Sequence, residues 1–184
     1  MNQELKTALK ALAQQSIKQE LYSSNPLDKQ ALHDSFPELK NKQATFVTLN
    51  LHGQLRGCIG SLVATRSLYD DIVSNAKAAA FSDSRFKPLS VEEFDNIEIE
   101  LSILSTPVVL QYDNLIDLKS KIKPGIHGVI LKYQNHQATF LPQVWEQLPT
   151  FELFFQHLCT KAGVRIACLD DKAEIYVYEA QKIK

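Results

Sequence analysis

Residues Ile97 to Ile103 alternate without a break. Ile97, Ile99, Leu101 and Ile103 are apolar, and Glu98, Glu100 and Ser102 between them are polar. Side chains of a strand point to opposite faces with period two, so this run is a strand with one face in a core and the other in water. The chain must therefore build a sheet that is covered on one side only at this strand.

Helical periodicity supplies other elements. Leu5, Leu9, Leu12, Ile17 and Leu21 recur at helical spacing, with Ala8 and Ala13 on the same side and Asn2 placed as a cap. Ser67 with Asp70, and Ser90 with Glu93, have the spacing of capping boxes. The first opens a helix through Leu68, Ile72, Val73, Ala76, Ala79 and Ala80 to about Phe81, and the second a short helix. Asn114 to Ile122 reads as a short helix stopped by Pro124-Gly125. Pro142 suits the first turn of a helix holding Val144 and Trp145. Thr150 caps a helix with Phe151, Phe154, Phe155, Leu158 and Ala162, which Gly163 ends.

Strands are expected at Thr45–Leu51, from Gln54 into Gly57, at Val129–Tyr133, Ala138–Leu141 and Ile175–Tyr178. His52-Gly53 and Gln134-Asn135 are the turn signals, while residues 23–37 read as a loop or short helical turn. Helices and strands mix without βαβ alternation, so the class is α+β. With 184 residues, 45% of them hydrophobic, one sizeable core forms, with room for a subdomain.

Charge narrows function. The net charge is -1 and only four residues are Arg, which argues against a general phosphate-backbone binder. Met1 to Lys6 lacks the basic start and long apolar run of an export signal, and no stretch of about 18 apolar residues offers a membrane span. Cys58, Cys159 and Cys168 are few and odd in number, so reduced thiols and a cytoplasmic location are expected. The chain lacks Cys-x-x-Cys and His-x-x-x-His spacings, a Walker loop, a Gly-x-Gly-x-x-Gly turn and a Gly-x-Ser-x-Gly elbow. No metal and no cofactor is therefore assigned.

The unusual segment is Leu55-Arg56-Gly57-Cys58-Ile59-Gly60. Gly57 and Gly60 permit positive φ or close approach of another group. If the segment is extended, Arg56 and Cys58 share a face, and a guanidinium beside a thiol favours the thiolate. The competing reading is a packing cysteine, a small hydrophobe.

That hexapeptide resembles the signature of the AMME chromosomal region (AMMECR-type) domain family, whose bacterial branch is the AmmeMemoRadiSam system protein A group. Four further blocks follow in the family's order: Ala79–Leu89, Gly125–Leu131, Thr139–Trp145 and Leu158–Gly163. One departure is Ser84, where the family usually has Pro, which should loosen the turn before Arg85 slightly. The resemblance implies one AMMECR-type domain over 1–184, an antiparallel sheet with packed helices, and two subdomains. The larger would be formed by both chain ends, and the smaller by the middle of the chain, roughly 58–95. It places the hexapeptide near their interface. It also implies a Memo-type protein and a radical S-adenosylmethionine protein as partners, because bacterial relatives are encoded beside them.

Three functional readings follow. The first is a site for a small polar ligand or substrate, with Cys58 as nucleophile or redox thiol, Arg56 as its activator and His127 as base. Gly57, Gly60, Asp83, Arg85 and Gln143 would bind the ligand. The second is a noncatalytic adaptor of the two neighbours, and the third a nucleic-acid-associated regulatory factor, which the near-neutral charge weakens. Structural roles compete at most of these residues: a turn histidine at His127, a turn-fixing ion pair at Asp83–Arg85, core packing for Trp145, and a helix-end charge for Lys161.

Overall fold

The computed structural model describes all residues, Met1 to Lys184. Contacts divide the chain into two units: Met1–Leu104 with Gln181–Lys184, and Ser105–Ala180. The larger unit is thus made by both chain ends. Residues 58–95 do not stand apart as the smaller one. They carry Leu68, Ile72, Ala76, Ala79, Leu89 and Phe94, which are buried in the same core as the first helix, so this segment is cemented into the larger unit.

In the first unit, α1 (Gln3–Tyr22) starts where the Asn2 side chain accepts from Leu5 N at 2.9 Å. It buries Leu5, Leu9, Leu12, Ala13 and Ile17 of the expected stripe, with Ala8 and Leu21 half-buried at its margin and Ser16 buried beside it. Within the expected loop, Asp28 caps α2 (Lys29–Ser35). The sheet comprises β1 (Thr45–Leu51), β2 (Gln54–Gly60), β3 (Ile97–Leu104) and β8 (Ala180–Ile183), in the order β2-β1-β3-β8. β1 pairs antiparallel with both β2 and β3. Val47, Leu49, Leu101 and Ile103 turn to one face, where they join α1 and α3 (Leu68–Phe81) in a single core. On the opposite face, Cys58, Thr48 and Glu100 form one row across three strands.

The Ser67 cap is half a capping box. Its hydroxyl accepts from Asp70 N, but the Asp70 carboxylate turns to the Ser67 hydroxyl and Lys29 instead of the Ser67 backbone. The Ser90–Glu93 box, by contrast, is complete at the start of α4 (Val91–Phe94). Behind α3, buried Asp71 gathers Thr45 N and Oγ1, Ser61, Arg66 and Asn75, which joins the ends of β1 and β2 to the helix.

The second unit has its own antiparallel sheet and core. β4 (Val108–Val109), β5 (Gly128–Tyr133), β6 (His136–Phe140) and β7 (Glu174–Tyr178) lie in the order β4-β7-β5-β6. Gln134 takes φ 53° in the two-residue turn between β5 and β6. α5 (Leu115–Lys121) and α6 (Phe151–Ala162) are capped by Asn114 and Thr150, and α6 ends at Gly163 with φ 75°. Pro142 starts a 3-10 helix to Glu146 in place of the expected α-helix. Trp145 stacks on Phe154 at 3.7 Å, as core packing requires. No helix is long and apolar enough to cross a membrane.

Candidate functional site

The hexapeptide is the edge strand β2, and its two glycines are seats for neighbouring groups. Neither has positive φ. A Cβ on Gly57 would lie 2.2 Å from the Ala79 carbonyl oxygen near the end of α3. A Cβ on Gly60 would lie 2.2 Å from the Phe46 ring, its cross-strand partner. Close approach, not backbone freedom, is why glycine stands at both positions.

The pairing of β1 with β2 slips at Arg56: Leu49 faces Gly57 while Asn50 faces Leu55. The extra residue redirects Arg56. Its Nε and one terminal nitrogen donate to Glu93 Oε1 and Oε2 at 2.9 and 2.8 Å, and the same terminal nitrogen reaches the Lys87 carbonyl at 2.9 Å. The two charges hold each other ionised: Glu93 is pushed below its usual range by Arg56, and Arg56 above its own by Glu93. Nε and one terminal nitrogen of Arg56 are thus directed to α4 and the 87–88 carbonyls, and its other terminal nitrogen is buried without a hydrogen-bond partner; no bond joins Arg56 to the Cys58 thiol.

Asp83 and Arg85 approach Cys58 instead. Cys58 N donates to Asp83 Oδ2 at 2.9 Å, and Arg85 donates to the Cys58 carbonyl at 3.3 Å. Arg85 closes on Asp83 through Nε at 3.0 Å, a terminal nitrogen at 2.7 Å and its backbone N at 3.1 Å. The pair thus occupies both outward backbone groups of an edge strand, as a neighbouring strand would. The Arg85 guanidinium holds the buried Asp83 carboxyl well below the usual carboxylate range, with the Cys58 N–H assisting. Phe86 lies under both cations, 5.7 Å from Arg56 Cζ and 5.5 Å from Arg85 Cζ. Ser84 is tolerated in place of Pro because Asp83 itself closes the turn, accepting from Arg85 N with its side chain and from Phe86 N with its carbonyl.

The Cys58 thiol is half-buried and meets the Thr48 hydroxyl at 3.3 Å. Thr48 and Glu93 escaped the reading of the sequence. The Ser90–Glu93 spacing announced only a cap, and the bulge hid which residue of β1 stands opposite Cys58.

His127 and Gln143 belong to the second unit, and Arg56, Gly57, Cys58, Gly60, Asp83 and Arg85 to the first. His127 closes a turn: its N donates to the Lys123 carbonyl at 2.9 Å, and its Nδ1 accepts from Lys123 N at 3.2 Å. Burial first, then Lys123, pushes its pKa down, and its carbonyl accepts from Trp145 Nε1 at 2.8 Å. Gly128 beside it seats the Tyr178 ring, 2.5 Å from where a Cβ would stand. Gln143 is half-buried in the 3-10 helix. Lys161 donates to the Thr139 carbonyl at 3.1 Å and lies over Phe140. Two surface cavities of the first unit, about 430 and 530 Å³, are lined mainly by α1 with Ile97–Glu100 or with Phe94 and Asp95; Cys58, Asp83 and Arg85 line neither.

Comparison with known proteins matches residues 10–183 to the family model AMMECR1. A protein from Nanoarchaeum equitans is 38% identical over 151 residues, covering 78% of this chain and 82% of that protein. One from Methanothermobacter thermautotrophicus is 34% identical over 177 residues, covering 92% and 88%. The crystal structure of an uncharacterized protein from Pyrococcus horikoshii superposes with a TM-score of 0.83 at 31% identity, over 99% of this chain and 92% of that one. With a family model spanning nearly the whole chain, relatives at this identity and the same fold in a solved structure, the chain belongs to the AMMECR1 family.

Proposed function

We propose that the first unit holds a site for a small polar ligand or substrate whose working group is the Cys58 thiol. The observation that supports this is the division of labour at Cys58. Its N–H and C=O are both taken by Asp83 and Arg85, while its thiol stays half-buried with only a Thr48 hydroxyl beside it. A clamped backbone fixes the sulfur, and rigid placement is what a nucleophile or ligand-binding group needs. Arg85, with its side chain 53% exposed, is the cation that faces solvent beside this residue. Arg56 serves as a positioning residue that ties β2 to α4.

The test is alkylation of the native protein with iodoacetamide, read by peptide mass spectrometry. Cys58 labels first, ahead of buried Cys159 and Cys168. Arg85→Ala slows the labelling at fixed pH and Arg56→Ala leaves it nearly unchanged. Labelling of Cys58 only upon unfolding returns it to a packing role. In a cell that needs the protein, Cys58→Ala loses function; full function in that strain sinks the proposal.

A cytoplasmic location accords with three unjoined thiols. A second reading rests on the exposed apolar residues of the β2 edge and the segment after it, Leu55 and Val63. In that reading the chain is an adaptor for a Memo-type protein and a radical S-adenosylmethionine protein. Tagged protein at native expression then co-purifies with one of them, and Leu55→Glu with Val63→Glu abolishes the capture while Cys58→Ala does not.

A further inference from the structure

The first site leaves two cysteines unused. Cys159 lies on α6, and Cys168 on the 3-10 turn Ile166–Leu169 that follows. They are nine residues apart, and their sulfurs stand 3.8 Å from each other. Both are free and buried, at 1% and 3% exposure. A disulfide needs a sulfur separation of about 2.05 Å, so side-chain rotation and a shift of the turn by less than 2 Å close the gap. We propose that Cys159 and Cys168 form an oxidisable dithiol, a modification site at which hydrogen peroxide closes an intrachain disulfide in the second unit.

The surroundings decide how the reaction runs. Burial pushes both thiols up; burial and the neighbouring Cys168 together bring Cys159 to about 12, while the contact with Cys159 partly offsets the rise at Cys168. Cys168 sits on the exposed turn and Cys159 on α6, so Cys168 is the sulfur that meets the oxidant first. Cys168 sulfur attacks a peroxide oxygen, the O–O bond breaks, and Cys168 becomes a sulfenic acid with release of water. Cys159 sulfur then attacks the sulfenic sulfur, gives up its proton and expels a second water. Two thiols and one hydrogen peroxide yield one disulfide and two waters.

Access comes through the turn. Arg165 to Ala167 and Asp170 to Lys172 are exposed, and between them only Cys168 and Leu169 point inward. The turn is held by the Tyr112 hydroxyl, within 3.0 Å of the Leu169 carbonyl and 2.9 Å of the Ala173 carbonyl. Opening it must lift Cys168 and Leu169 out of the second core and break its local backbone bonds, but it leaves the pairing of β5 with β7 in place. Oxidation is accordingly slower than at an exposed thiol, and reduction of the closed bond is slow for the same reason.

The experiment treats the full chain carrying Cys58→Ser with hydrogen peroxide, blocks residual thiols with N-ethylmaleimide, and maps peptides without reductant. The expected product is a Cys159–Cys168 cross-linked peptide, reversed by dithiothreitol. Melting of the oxidised chain rises by roughly 5 °C or more over the reduced chain, because a short loop is closed in the unfolded state. Tyr112→Phe frees the turn and speeds the cross-linking. Recovery of both cysteines as N-ethylmaleimide adducts overturns the proposal, as does their recovery only as sulfinic or sulfonic acids. The direct peptide readout on the wild-type pair needs no core cysteine variant to fold.

Discussion

Gly57→Ala separates two opposite expectations. Gly57 has an ordinary strand backbone, with no positive φ. On conformational grounds alone, alanine there should stabilise the protein by about 0.4–1 kcal/mol, since it restricts the unfolded chain. The structure reverses the sign. The new Cβ would sit 2.2 Å from the Ala79 carbonyl oxygen and 3.1 Å from its carbon, whereas ordinary contact begins near 3.4 Å. The end of α3 must withdraw by about 1.2 Å, and backbone cannot yield as a flexible side chain does. Overpacking of this kind costs about 1–3 kcal/mol, which outweighs the entropic gain. For a chain of this size each kcal/mol moves Tm by about 2–4 °C, so a fall of about 2–12 °C is expected in a calorimetric or circular-dichroism melt. Because Asp83 follows α3 directly, the Cys58 amide should also lose protection from hydrogen exchange as its bond to Asp83 lengthens. Gly53→Ala is the control: φ is 77° with nothing within 4 Å, so only backbone strain of about 1 kcal/mol applies. If Gly57→Ala melts at or above wild type, the seat for α3 does not constrain the fold and the reasoning fails.

Other outcomes follow from the same contacts. Asp83→Asn should cost about 1–3 kcal/mol at neutral pH by weakening charge-assisted bonds to Arg85 and Cys58 N. Since the folded Asp83 pKa is lowered, that advantage is complete above the unfolded value near 3.9 and is lost as pH falls toward the folded one; equal gaps in urea midpoints at pH 7 and pH 2 would contradict it. Glu93→Gln should cost about 1–2 kcal/mol, because it removes the charge opposite Arg56 and leaves one amide oxygen to serve Arg56 or the Ser90 N–H where two oxygens served both, and a urea-unfolding difference under 0.3 kcal/mol would refute this. His127 should titrate below about 6.5 by NMR; its contribution to stability is full above that pH and lost as pH falls, so a midpoint at or above 6.5 would be wrong. Trp145→Ala should cost about 3–5 kcal/mol through loss of the Phe154 stack and the His127 bond, and a variant as stable as wild type would remove Trp145 from the second core.

Much of the scaffold is legible in the sequence. The strand over Ile97–Ile103, most of the stripe of α1, and the caps at Asn2, Ser90, Thr150 and Gly163 reappear in place, because they depend on residues a few positions apart; Ser102, expected on the water face, is instead buried, since both faces of β3 are covered from Leu101 onward. The α+β class and the family blocks were readable for the same reason. Elements without a periodic pattern were not: α2 has no buried residue, and β4 and β8 are short segments defined only by the strands they join.

The candidate site divides along the same line. The sequence by itself determined that a cysteine stands between glycines after an arginine, and that Asp83 and Arg85 sit two apart where a turn can bring their charges together. Only the tertiary structure decided which arginine bonds to the cysteine. One extra residue in β2 sends Arg56 to Glu93, 37 positions away, and a turn after α3 brings Asp83, 25 positions away, to the Cys58 N–H. Cross-strand register and helix-to-strand approach are set by packing over such distances, and no local pattern of residues encodes them.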